Sequence, residues 1–141
     1  MTVPHGRDRV DRGEEVKDLV LDLDSHERPM SAAAKALAGA GVNIEGTTGP
    51  MTHDGSSVGH ILVEDGPTAR RALEEIGIKV VAEREVVVVE LQDRPGALSE
   101  LLERIGPRTY DLVYLATRTR IVLGGREIAD VTRILASVHD S

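Results

Sequence analysis

Hydrophobic and polar positions alternate over Leu19-Val20-Leu21-Asp22-Leu23-Asp24, the period of a half-buried strand, and Ser25-His26-Glu27-Arg28-Pro29 ends it. Met30 to Ala40 is rich in alanine, and Gly39 and Gly41 stop the helix it predicts. Val42-Asn43-Ile44 then begins a second strand. Gly46 to Ser57, with Gly49, Pro50, His53, Asp54 and Gly55, reads as a hairpin connection, and Val58 to Glu64 as the returning strand. Asp65-Gly66-Pro67 caps a helix from Thr68 to Ile76, which Gly77 closes. Ile78 to Val89 is β-branched enough for one long strand or two short ones.

The same order returns in the second half. Val86 to Leu91 is a strand and Gln92 to Gly96 a turn; Leu98, Leu101, Leu102 and Ile105 then share one face of a helix from Ala97 to Ile105. Strands over Asp111–Ala116 and Arg120–Leu123 lead to a helix over Arg126–Val138. Arg28-Pro29-Met30 is echoed by Arg94-Pro95-Gly96, and Val42-Asn43-Ile44 by Tyr110-Asp111-Leu112. The expected fold class is therefore α+β: two ferredoxin-like βαββαβ modules in tandem, over 17–85 and 86–141, behind a flexible arm over 1–16 that has no periodicity. The second module lacks a clear last strand. An open sheet edge is normally covered, so a homodimer is the expected assembly.

Composition narrows the function. The chain has 141 residues, no cysteine and a net charge of −7. Disulfides, thiolate metal sites and cysteine nucleophiles are excluded. The acidic balance repels phosphate backbones, and two tyrosines are the only aromatic residues, so nucleic acid is not an expected partner. No apolar run approaches the roughly 20 residues that cross a bilayer, and the first 16 residues are charged where an export signal is apolar. No membrane is expected and the expected location is cytoplasmic.

The segment Asp93-Arg94-Pro95-Gly96-Ala97-Leu98, between a valine-rich strand and a leucine-rich helix, resembles the signature of the ACT domain family, as does Gly41-Val42-Asn43-Ile44. The first copy looks most like the serine-sensing domain of phosphoglycerate dehydrogenase. The resemblance covers residues 17 to 138 and implies a non-catalytic regulatory module. Such a module would bind a small amino acid between modules and signal through its assembly or a partner enzyme of amino-acid metabolism, with no cofactor. Two positions depart from the family pattern: Met30 stands where the motif has glycine, and Asp111 where it often has asparagine.

An amino acid needs N–H donors for its carboxylate and oxygen acceptors for its ammonium. A helix start after Pro95 supplies donors, and Gly96 lets the backbone come close. The candidate ligand residues are Gln92, Asp93, Arg94, Pro95, Gly96, Ala97 and Leu98 in the second turn, with His26, Glu27 and Met30 in the first. Asn43, Ile44, Asp111 and Leu112 begin the following strands, and the Asn43 and Asp111 oxygens would face the ammonium from a neighbouring module. The favoured site is composite, joining the second turn to the first module's strand.

Plainer readings stand beside these. Asn43 equally suits a helix exit; Met30 suits gap filling; Arg28, Asp93 and Arg94 suit solvated turn charges; Tyr110 and Tyr114 suit core packing. His26, His53, His60 and Asp54 are the candidates for a metal-responsive regulator, with exposed loop histidines as the alternative. No nucleophile motif or phosphate-binding glycine loop occurs, Gly124-Gly125-Arg126 is too short a signal, and Glu74-Glu75 reads as a solvated face. A small ferredoxin-like enzyme is the other alternative.

Overall fold

The computed structural model describes residues 9–11, 16–53, 55–107, 109–126 and 128–140. In chain order they form β1 (Arg9–Asp11), β2 (Lys17–Asp22), α1 (Pro29–Gly39), β3 (Gly46–His53), β4 (Ser56–Val63), α2 (Gly66–Glu75), β5 (Val80–Glu85), β6 (Val87–Glu90), α3 (Ala97–Ile105), β7 (Leu112–Leu115), β8 (Arg120–Gly124) and α4 (Ala129–Asp140). The chain divides into two compact units, Glu14–Glu85 and Val86–Ser141 with the start of the chain.

In the first unit the antiparallel sheet runs β3-β4-β2-β5, so the first strand of the module lies between its third and fourth, as a βαββαβ module requires. Leu19 and Leu21 of β2 and Ile61 and Val63 of β4 pack with Ala33 and Leu37 of α1 and Ala69 and Leu73 of α2. Alternate sheet residues point to the helices because side chains alternate along a strand. The Asp65 side chain accepts from Thr68 N–H at 3.1 Å and starts α2 as its N-cap.

Three boundaries differ from their sequence-based positions. The first strand ends at Asp22, whose Oδ1 accepts from Asp24 N–H at 2.9 Å and turns Leu23–Ser25 into a single 3-10 turn. Val42–Ile44 does not begin a strand: Val42 N–H donates to Leu37 O at 2.9 Å and closes the exit of α1. The expected connection over Gly46–Ser57 is largely the strand β3. It admits Pro50 through a register shift between Thr48 and Met51, where Gly49 has φ +123° and an added Cβ would lie 2.9 Å from Gly59 Cα.

In the second unit the antiparallel sheet runs β1-β6-β8-β7. Its core joins Val87, Val89, Ile121 and Leu123 to Leu101 and Ile105 of α3 and Val131 and Leu135 of α4. Here β1 replaces the expected flexible arm at Arg9–Asp11, the rest of residues 1–15 lying outside the described residues, and it fills the edge of a module in which, as expected, no strand is described after α4. Arg9 pairs with Glu90, Val10 with Val89 and Asp11 with Val88, so the chain start takes the edge position that β5 holds in the first unit. Three residues carry too little periodicity to announce a strand, and only the exposed groups of β6 select them. The case for a homodimer built on an open edge at β6 falls with this pairing.

Candidate functional site

Strand β6 hands over to α3 through residues 91–96. Leu91 N–H donates to Thr119 O at 2.6 Å, and Thr119 Oγ1 donates to Glu90 Oε1 at 2.9 Å, so the β7–β8 turn is tied to the end of β6. Gly96 is the N-cap of α3 at φ +89°, a left-handed conformation that glycine adopts without strain. Lacking a side chain, it leaves Leu98 and Ser99 N–H without a side-chain cap. The four donors at such a helix start carry partial positive charge.

Residues 92–98 line one cleft of about 350 Å³ together with Leu91, Leu115 and Arg118. Its charges are sorted into two ion pairs. Arg94 Nη1 lies 3.2 Å from Glu100 Oε1 and Nη2 bonds Oε2, while Nε donates to Gln92 Oε1 at 2.9 Å. The hydrogen bond from Arg94 holds the Glu100 carboxyl below its ordinary value. The second pair joins Arg118 Nη2 to Asp93 Oδ2 at 2.6 Å, from the β7–β8 turn to the β6–α3 turn. A second groove, of about 680 Å³, runs along α3 past Gly96, Leu98, Leu102 and Tyr110.

The structure of protein BT0572 from Bacteroides thetaiotaomicron superposes with a TM-score of 0.72 at 18% identity, covering 89% of this chain and 90% of that one. The ligand-free regulatory subunit of aspartate kinase from Thermus thermophilus gives 0.67 at 14% identity, covering 92% and 95%. The chain has the ACT-domain fold. An aspartokinase III from E. coli, solved with aspartate and ADP, contains the same fold in about a third of its length, with a TM-score of 0.60 at 14% identity over 94% of this chain and 32% of that one. No protein-family model matches the ACT-fold chain. Autophagy-related protein 17 of Aspergillus terreus (strain NIH 2624 / FGSC A1156) is 35% identical over 107 residues, which are 71% of this chain and 20% of that protein. The chain thus spans about a fifth of the curated relative it matches.

The other sequence candidates lie elsewhere in the ACT fold. Asp111 is exposed, its N–H donating to Gly124 O at 2.8 Å, and Leu112 is half-buried in β7; neither lines the 91–118 cleft. In the first ACT module, Asn43 Nδ2 donates to Glu45 Oε2 at 3.1 Å, and Asn43 lines a small cavity of about 150 Å³ with Glu45, Glu64 and Asp65. Ile44 and Met30 pack against the first core, the Met30 sulfur lying 3.3 Å from where a Gly59 Cβ would stand. Glu27 is exposed, and His26 Nδ1 accepts from Arg28 N–H at 3.0 Å.

Leu91, Leu115 and Arg118 were missed in sequence. Antiparallel pairing of β6 with β8 sets Glu90 opposite Arg120, so the β7–β8 turn must lie beside the end of β6. The repeated strand order carried that signal. Among the described residues no three His, Cys, Asp or Glu side chains converge on a metal position. His60 is buried against Asp18, whereas the His53 side chain and Asp54 lie outside the described residues. Among the described residues no helix is long and apolar enough to cross a membrane.

Proposed function

We propose that this chain is a non-catalytic regulatory module that binds a small amino acid in the cleft between the β6–α3 turn and the β7–β8 turn. Occupancy would be passed to a partner enzyme or to the protein's own assembly. The observation that carries the reading is the convergence of residues 92–98 on one cleft at the start of a helix whose first N–H groups have no side-chain cap. Those donors suit the ligand's carboxylate, and Asp93 offers oxygens to its ammonium. Asp93 therefore takes the role that sequence reasoning gave to Asn43 and Asp111. Similar structures include regulatory subunits of aspartate kinase, which supports a sensing role for this fold.

The experiment is a thermal-shift and calorimetric screen of the whole chain against the twenty amino acids. Saturable binding of at least one, weakened by Gly96→Val, is expected. A flat response to all twenty at millimolar concentration sinks the reading in favour of a structural or interaction role. Light scattering with and without the ligand found then reports whether occupancy changes assembly.

A further inference from the structure

We propose that Arg118 makes this cleft selective for an α-amino dicarboxylate, an inference that rests on the amino-acid-binding reading above. Two arginines and one aspartate line the cleft, and with Glu100 beside Arg94 they form two ion pairs. The arginines are not equivalent. Arg94 is held by Glu100, by Gln92 Oε1 and by the Pro95 carbonyl at 3.4 Å, and it braces the loop against α3. Among the described residues Arg118 makes a single ion pair, with Asp93, and its side chain is 82% exposed.

An exposed ion pair of this kind contributes little net stability, so a ligand can exchange it. A ligand ammonium that takes Asp93 leaves Arg118 without its partner. A neutral amino acid then gains one ionic contact and loses another. A dicarboxylate restores the balance by placing its second carboxylate on Arg118, which presents a planar fork of donors suited to that group.

The turn that carries Arg118 is held in place before any ligand arrives. Thr117 Oγ1 accepts from Thr119 N–H at 3.3 Å and from Arg120 N–H at 3.1 Å, and Thr119 O holds Leu91 N–H. The backbone of the turn is therefore fixed beside the cleft, while the exposed guanidinium is held by Asp93. Such preorganisation lowers the ordering cost of a contact made on binding.

The test titrates the whole chain with L-aspartate, L-asparagine, L-glutamate and L-glutamine, with wild type and Arg118→Gln compared at low salt. In wild type the acid of at least one pair is expected to bind about fivefold or more tighter than its amide, a preference that salt erodes. Arg118→Gln should bring that ratio to about one by weakening the acid, with the amide binding no weaker than in wild type because Asp93 no longer gives up an ion pair, whereas Arg118→Lys should keep part of the preference. The exposure of the side chain keeps the variants folded, which a thermal melt checks. No acid preference in wild type, or one that survives in Arg118→Gln, overturns the proposal while amino-acid binding stands. Binding of none of the twenty amino acids overturns both.

Discussion

Asp18 Oδ2 lies 2.7 Å from His60 Nδ1, joining β2 to β4 through a carboxylate that is wholly removed from solvent. In the strand register Asp18 stands opposite Leu62, and Val20 opposite His60, so the contact runs diagonally across the two strands. It is a buried polar contact in a module otherwise held together by leucine, isoleucine and valine. Buried polar groups are costly unless bonded, so each partner helps to offset the burial of the other.

Removing either partner leaves the other buried. Asp18→Ala and His60→Ala are each expected to lower unfolding free energy by roughly 1–3 kcal/mol. The double variant should lose less than the two single losses combined, because the pair shares one interaction. Urea denaturation of the four proteins closes the cycle, and strict additivity would dissolve the pair.

Gly96→Ala should destabilise by about 1–2 kcal/mol, since the residue must hold φ +89° and a Cβ there meets the following backbone. Space is not the cause, as an added Cβ would find Arg94 Nη1 at 3.8 Å. Gly96→Asn should cost less than Gly96→Ala, because asparagine tolerates left-handed backbone. Equal losses for the two would put the origin outside the backbone conformation.

The Glu100 carboxyl is held below its ordinary value of 4.5 by the hydrogen bond from Arg94. A folded-state value lowered in this way stabilises the protein above the unfolded value, and that contribution disappears as pH falls through the folded value. NMR titration should show the Glu100 midpoint rising toward 4.5 in Arg94→Gln. An unmoved midpoint would remove Arg94 as the cause.

Deleting residues 1–13 strips β1 from β6 and leaves the backbone groups of Val88 to Glu90 unpaired along a valine-rich edge. Exposed edges of that kind pair with other chains. The truncated protein should melt earlier than the full chain and associate with rising concentration in light scattering. A truncation that stays monodisperse with an unchanged melt would show that β1 is dispensable.

The module plan was legible in the sequence because its signals are local. Pro29 at the start of α1, Asp65 at the cap of α2 and the Leu98, Leu101, Leu102, Ile105 face of α3 each depend on residues within a few positions of one another. The second turn was legible for the same reason, and residues 92–98 do share one cleft. What tertiary structure decided were partnerships across distance. Arg9–Asp11 becomes a strand only because β6 offers unpaired N–H and C=O groups, and Gly46–His53 extends as β3 only because β4 lies beside it. Arg118 joins the cleft through the β6–β8 register, which brings it to Asp93 from 25 residues away. Periodicity and capping are properties of neighbouring residues, whereas pairing and ion contacts depend on what the folded chain brings alongside.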